Sequence, residues 1–357
     1  MPAFRPTASC IWNSFRSSGK RHLLLTGGRG SGKTRLMNAL FPEPLPGITT
    51  WAEPRNAVWL KENLSGCRAQ VGIYDGAMPG TENKMVLCPE GFRSLGIPAL
   101  RRCTDRDGEW VTIDEIGYLE TECREYCEGI RRLMARKRLA AVVRKQDTPL
   151  IREITHREDV FVVDLDAPYG KLGCVIMASG LGTRFGGNKL MADFRGEPLI
   201  CRALSATEGI FTRRVVVTRH KDVAALCRDR GVEAVLHQLP CRSDTVRLGL
   251  EAVGDVGGCV FCPGDQPLLR QETAAALALA AVNDPSSVWR TAFQETPGSP
   301  VLFPRWTFPE LANLPEGKGG GFVAKKYPER IRTVSVRDPY ELMDIDSPGD
   351  LAFLLER

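Results

Sequence analysis

Short apolar runs alternate with amphipathic stretches along this chain, and the alternation starts twice. Residues 23–26 predict a buried strand and 33–40 the start of a helix. Residues 109–113 predict a second strand, 120–137 show helical spacing, and 140–144 and 160–165 read as two more strands. Strand–helix alternation of this kind is the pattern of a parallel sheet with helices on its faces. Between 42 and 103 the period is lost and Pro and Gly accumulate, which predicts an antiparallel extension or lid rather than a separate domain. Residues 167–173 carry no period and read as a linker. At Cys174 a strand restarts and the alternation resumes, with strands over 214–218 and 259–262 separated by helical stretches. The pattern thus divides the chain into a ragged leader (1–20), an α/β domain (21–166), the linker, and a second α/β domain (174–357).

Each domain opens with a glycine-rich loop after an apolar strand. The first, Gly27-Gly-Arg-Gly30-Ser-Gly32-Lys33-Thr34, has the spacing Gly-x-x-x-x-Gly-Lys-Thr of a P-loop. Glycines there let backbone N–H groups turn inward around a phosphate, and the following helix adds a partial positive charge. In that pattern Gly27, Gly30 and Gly32 shape the cradle, Lys33 reaches the β- and γ-phosphates, and the Thr34 hydroxyl ligates Mg2+. Val111-Thr-Ile-Asp114-Glu115-Ile-Gly117 supplies the acidic partner: Asp114 at the end of a strand would hold the metal through water, and Glu115 would orient or activate the attacking water. The cations of 131–138 read as a solvated helix face, and Arg144 as a candidate charge stabiliser.

The second loop, Ala178-Ser179-Gly180-Leu-Gly182-Thr183-Arg184-Phe-Gly-Gly-Asn-Lys189, is a different device. Phe185 stands where a dinucleotide fingerprint needs its third glycine. Arg184 and Lys189 suit the neutralisation of a triphosphate attacked at its α-phosphorus while pyrophosphate leaves. Downstream, Cys259-Val-Phe-Cys-Pro-Gly-Asp265-Gln-Pro delivers a carboxylate from a buried strand, and Asp346, ahead of a Ser347-Pro348 helix start, is a second candidate for the same metal. Cys259 and Cys262 lack the further ligands of a zinc site and read as packed core residues. The loops at Gly298 and at 317–321 are candidates to receive a second substrate or plain turns.

These motifs carry two resemblances. The first half is similar to small P-loop nucleoside-triphosphatases with an Asp-Glu-Ile-Gly Walker B segment. The second half, from 173 to 356, resembles the molybdenum cofactor nucleotidyltransferases, in particular the cytidylyltransferase branch. The resemblance rests on 177–190, on Asp265 within Gly-Asp-Gln-Pro, and on the segments at Gly298, Lys318 and 344–348 in order. Ser179 replaces that family's second alanine in a loop associated with base selection, and Cys241 stands where a glycine opens the segment Arg242-Ser-Asp-Thr245. The resemblances imply a P-loop NTPase α/β sandwich followed by a Rossmann-like nucleotidyltransferase α/β/α sandwich. They imply ATP or GTP for the first domain and CTP for the second, with Mg2+ in both. Ala178, Ser179, Gly180, Gly182 and Thr183 would line the nucleotide, Lys189 and Arg184 would serve catalysis, and Asp265 with Asp346 would hold the metal. The acceptor implied is the terminal phosphate of molybdopterin, and a molybdenum hydroxylase apoenzyme is an implied partner. A sugar phosphate or small phosphorylated metabolite is the alternative acceptor. A third reading is an NTP-driven maturation factor that delivers cofactor to such a hydroxylase.

Composition narrows the setting. At 357 residues with 43% hydrophobic and 25% charged residues, the chain has room for two cores. A net charge of +5 without a localised basic stripe argues against a nucleic-acid partner. No apolar run is long enough to span a bilayer, and the N-terminus lacks the apolar core of a signal peptide. Twelve cysteines scattered through apolar elements read as reduced thiols of a cytoplasmic protein.

Overall fold

Residues 19–168 and residues 3–18 with 169–357 form two units in this computed structural model, which describes residues 3–77 and 85–357. The first unit is built on one eight-stranded sheet. Its strands are β1 (His22–Thr26), β2 (Gly47–Ala52), β3 (Ala57–Glu62), β4 (Arg68–Tyr74), β5 (Met85–Leu87), β6 (Trp110–Ile116), β7 (Arg138–Val143) and β8 (Val160–Asp164), in the order β5-β4-β3-β2-β6-β7-β1-β8. The run β2-β6-β7-β1-β8 is parallel, and β3, β4 and β5 extend it antiparallel. Leu23, Leu24 and Leu25 and the whole of 139–143 are buried, because helices cover both faces of the parallel core. The Pro/Gly-rich stretch from 42 is therefore the antiparallel part of this sheet, with residues 78–84 outside the described residues.

Two local expectations are corrected. The helix over 120–137 is two helices, Tyr118–Glu122 and Arg124–Arg136, separated at Cys123. The Glu120 carboxylate turns back to accept from the Gly117 N–H at 2.8 Å, and the Cys127 thiol donates to the Glu120 carbonyl at 3.3 Å. The thiol thus takes up a carbonyl that a continuous helix would have paired, and the Glu120 carboxylate caps the start of the first helix. Residues 89–105 are also helical, in three consecutive pieces ending in Ile97–Asp105. Gly96 and Pro98 mask a buried face made by Phe92, Ala99, Leu100 and Cys103.

The second unit has a seven-stranded mixed sheet. Its strands are β9 (Leu172–Ala178), β12 (Arg213–Thr218), β13 (Glu233–Leu236), β14 (Gly258–Pro263), β15 (Val288–Phe293), β16 (Thr296–Pro304) and β17 (Ile331–Ser335), in the order β13-β12-β9-β14-β16-β15-β17; β10 (Asp193–Phe194) and β11 (Glu197–Pro198) form a separate hairpin. The four strands from β13 to β14 are parallel. From β9 the chain builds β12 and β13 on one side and then returns to β14 on the other. The strand order reverses at the carboxyl ends of β9 and β14, which is where open α/β sheets bind ligands. Cys259 and Cys262 are both fully buried on β14 and unpaired, as core residues of a strand covered on both faces.

The leader is not ragged. Residues 8–18 form a helix (Ala8–Ser18) that belongs to the second unit and packs on its helix Gln271–Asn283. Cys10, Ile11 and Phe15 are buried there, and the Ser14 hydroxyl donates to the Ala276 carbonyl at 2.7 Å. The apolar spacing 10, 11, 15 was short enough to pass for a leader. Its partner is an Ala-rich helix more than 250 residues away, bridged by Thr7 Oγ1 to Glu272 Oε1 at 2.8 Å. Phe15→Ala is expected to destabilise the second unit by about 3–4 kcal/mol. Thermal unfolding should show the transition of that unit fall while that of residues 19–168 stays in place.

Candidate active sites

The first loop runs from the end of β1 into the helix Lys33–Leu40. Gly27, Gly30 and Gly32 all have positive φ (142°, 77° and 94°), the conformation that turns the intervening N–H groups to one side. Lys33 Nζ donates to the carbonyls of Gly27 and Gly28 at 2.8 and 2.7 Å, so the ammonium is held across the mouth of its own loop. Burial pulls its pKa down, opposed by Asp166. Asp114, at the end of β6, hydrogen-bonds Thr34, and burial raises its pKa. The two residues that the P-loop pattern pairs at a metal are thus in contact. Glu115 forms an ion pair with Arg144, which follows β7. Burial pulls the Arg144 guanidinium down, with Arg29 acting in the same sense.

Two residues of this site were not singled out from the sequence. Asp166, which follows β8, accepts from the Gly28 N–H through both oxygens at 3.1 and 2.9 Å. Lys145 bridges Asp164 and Asp166 at 2.8 and 3.0 Å. Asp166 looked like the last residue before a linker. Its signal was that β8, like β1, ends at the loop's edge of the sheet.

In the second unit the loop leaves β9 at Ala178 and ends in a single turn, Lys189–Met191. Gly182 has φ 62°, and a Cβ there would lie 2.2 Å from the Gly187 carbonyl, so only glycine lets the loop fold back on itself. The fold-back brings Lys189 into the sheet's crevice. Its ammonium lies 2.6 Å from Asp265 Oδ2, 2.6 Å from the Ile345 carbonyl and 3.1 Å from Asp346 Oδ1. Burial pulls the Lys189 pKa down, but Asp265 and then Asp346 more than offset this, and the net shift is upward. Arg184 is exposed and donates to Asp346 Oδ2 at 2.8 Å. Four of the expected residues, Arg184, Lys189, Asp265 and Asp346, therefore converge, from loops after β9 and β14 and from the segment before the last helix. Asp265 is placed by the Gly-Asp turn, where the Ile345 N–H donates to its carbonyl at 3.0 Å. Asp346 is fixed by the following helix start, where the Asp350 carboxylate accepts from the N–H groups of Asp346 and Ser347 at 3.0 and 2.8 Å.

Thr183 and Gly180 are exposed on the loop, whereas Ala178 is buried at its base. Ser179 is anchored: its hydroxyl donates to the Val217 carbonyl at 3.0 Å and lies 2.8 Å from His237 Nε2. The segment at Cys241 caps the helix Arg242–Val253, and the Cys241 thiol lies 3.4 Å from Glu316 Oε1, beside the 317–321 loop. The Gly298 carbonyl accepts from Arg290 at 3.0 and 3.2 Å.

The carboxylates offer hard oxygen ligands, the donor set that suits Mg2+. Among the described residues no group of three or more His, Cys, Asp or Glu stands ready as a metal site. The sequence did not assign Asp344, whose carboxyl is pushed up to about 6 by burial and then by Asp265 and Asp346. A carboxyl whose folded pKa exceeds its unfolded value contributes stability below the unfolded pKa, and loses it as pH rises through the folded one. In metal-free protein, Asp344→Asn is therefore expected to raise the second unit's stability at pH 8, by on the order of 1–2 kcal/mol after allowance for partial exposure. Little change is expected near pH 4; pH-resolved thermal unfolding in chelator checks both ends.

Comparison with known proteins agrees with this division. Residues 174–331 match the family model of a MobA-like NTP transferase domain, and residues 61–168 match that of an NTPase. A curated relative, 3-deoxy-manno-octulosonate cytidylyltransferase of Chlorobium phaeovibrioides, is 37% identical over 89 residues, which is 24% of this chain and 36% of that protein. The match thus spans little more than a third of that relative's length. Nucleoside-triphosphatase THEP1 of Thermotoga sp. (strain RQ2) is 25% identical over 150 residues, 40% of this chain and 86% of that protein. Among solved structures, a nucleotidyl transferase from Methanothermobacter aligns at 21% identity with a TM-score of 0.45, over 52% of this chain and 97% of that one. Residues 174–331 are thus similar to MobA-like NTP transferase domains, and residues 61–168 to NTPase domains.

Proposed function

We propose that the second unit transfers CMP from CTP to the terminal phosphate of molybdopterin, releasing pyrophosphate, while the first unit hydrolyses ATP or GTP in a supporting role. The observation that carries the transferase reading is the convergence of Lys189 and Arg184 on Asp265 and Asp346 at the end of a glycine loop. Cations and metal-binding carboxylates at one place are what an α-phosphorus under attack requires. The motif order through Gly298, Lys318 and Asp344 supports the molybdopterin acceptor. The cytidylyltransferase relative supports the cytosine base, and its name also favours a second reading in which the acceptor is a sugar acid.

Asp265 and Asp346 would hold Mg2+, which supplies charge neutralisation at the triphosphate. Lys189, freed from one carboxylate as the substrate's negative charge arrives, donates to the phosphate oxygens on which charge builds. Arg184, exposed and on a folded-back loop, closes over the outer phosphates. The acceptor phosphate oxygen forms its bond to the α-phosphorus as the bond to the bridging oxygen breaks, and pyrophosphate carries away the electron pair. The nucleophile is already anionic, so no general base is needed, and catalysis rests on positioning and electrostatics. Twelve free cysteines fit a reducing cytoplasmic setting. Among the described residues no helix is long and apolar enough to cross a membrane.

Acceptor identity is tested by offering molybdopterin, 3-deoxy-manno-octulosonate and a sugar phosphate separately with CTP and weighing the products. A cytosine dinucleotide of molybdopterin alone is the expected result. A CMP-sugar in its place overturns the acceptor.

A further inference from the structure

The nucleotide loop has two distinct ends. At 184–189 it meets Asp265 and Asp346, where the phosphates belong. At 179–180 it meets the edge formed by β12 and β13, where His220 Nε2 lies 2.8 Å from the Gly180 carbonyl and His237 Nε2 lies 2.8 Å from Ser179 Oγ. On the proposed nucleotidyl reading, the base of the substrate therefore lies toward Ser179. A serine hydroxyl has one proton and two lone pairs, and would ordinarily rotate to suit either a donor or an acceptor on the base.

Here it cannot rotate freely. The Leu239 N–H donates to His237 Nδ1 at 3.2 Å, so that nitrogen carries the lone pair and the proton of the neutral ring is on Nε2. His237 Nε2–H must then donate to Ser179 Oγ. The Val217 carbonyl, 3.0 Å from Ser179 Oγ, can only accept, so it takes the serine proton. One lone pair remains. The ring is buried, the backbone N–H of His237 donates to the Thr218 carbonyl at 3.1 Å, and burial and then Arg219 hold the ring's pKa below the usual imidazole range, which keeps it neutral.

We propose that His237 is a specificity-positioning residue: by fixing Ser179 as an acceptor, it makes the loop select a pyrimidine with an exocyclic amino group over one with a carbonyl there. An amino N–H finds the remaining lone pair, whereas the O4 carbonyl of uracil meets lone pair against lone pair. A site that offers one polarity to a base rejects the other by leaving buried groups unpaired.

The test is equilibrium binding of CTP and UTP with Mg2+ to the full chain, with Lys33→Ala present throughout so that the first unit's loop is silenced. The parent is expected to prefer CTP by at least about tenfold. His237→Phe releases the serine rotor and should bring the ratio toward unity, chiefly by tightening UTP. His237→Gln, whose amide N–H can still donate to Ser179, should keep the preference. Ser179→Ala removes the acceptor with His237 intact and should weaken the preference for CTP, which keeps the proposal testable if His237→Phe fails to fold. A parent that binds CTP and UTP equally, or His237→Phe and Ser179→Ala variants that keep the parent ratio, would overturn the inference alone. A parent that binds no CTP would overturn the nucleotidyl reading and the inference with it.

Discussion

Lys189→Ala should lose nucleotidyl transfer by about 1,000-fold or more and leave nucleoside triphosphate hydrolysis by the first unit unchanged. Lys189 has a side chain only 10% exposed, and its ammonium pairs with both Asp265 and Asp346. Its removal has two consequences. It takes away the donor that would face the oxygens on the reacting phosphorus, and it leaves Asp265 without its ion-pair partner and Asp346 with Arg184 alone. Breaking a largely buried pair by deleting one member costs more than the pair contributes, here about 2–3 kcal/mol of stability in the second unit once partial exposure of the carboxylates is allowed for. Lys189→Arg should not restore transfer. A guanidinium fork cannot occupy the position in which a point-like ammonium meets two carboxylates and the Ile345 carbonyl. Steady-state transfer rates, phosphate release and the thermal transition of each unit separate these effects. Loss of both activities together would show that the two units are coupled in function.

Lys33→Ala is the complementary change, expected to reduce phosphate release by about 1,000-fold while transfer persists. The ammonium is committed to the Gly27 and Gly28 carbonyls and must leave them for the phosphates. The loop itself should survive the substitution, because its glycine geometry is held from outside by Asp166 on the Gly28 N–H and by Thr34 on Asp114. Little change in stability is expected. A variant that loses hydrolysis with its thermal transition intact would separate chemistry from folding.

Much of this was legible in the sequence for physical reasons. Both loops announce themselves because only glycine tolerates the backbone they require, and because the strands feeding them are buried on both faces and so read as continuous apolar runs. Asp265 and Asp346 were legible because each sits at a fixed break, a strand end followed by Gly-Asp and a helix start capped by Ser347. What the sequence hid was pairing across distance. The Ala8–Ser18 helix gains its meaning only from the helix Gln271–Asn283, and a short amphipathic segment carries no sign of a partner so far away. Asp166 and His237 are single polar residues after strands, a pattern found at countless turns. Their roles depend on the sheet order that sets β8 beside β1 and β13 beside β12. The helix 89–105 was obscured by Gly96 and Pro98, which lower local propensity where burial of Phe92 and Leu100 decides the outcome.

The most direct measurement is pyrophosphate release by the Lys33→Ala chain, in which first-unit hydrolysis is silenced, given CTP and Mg2+ with and without molybdopterin. Release that requires molybdopterin, and that disappears when Lys189→Ala is added, is the expected result. Release that is absent under all of these conditions, from protein that still binds CTP, would contradict transfer to molybdopterin.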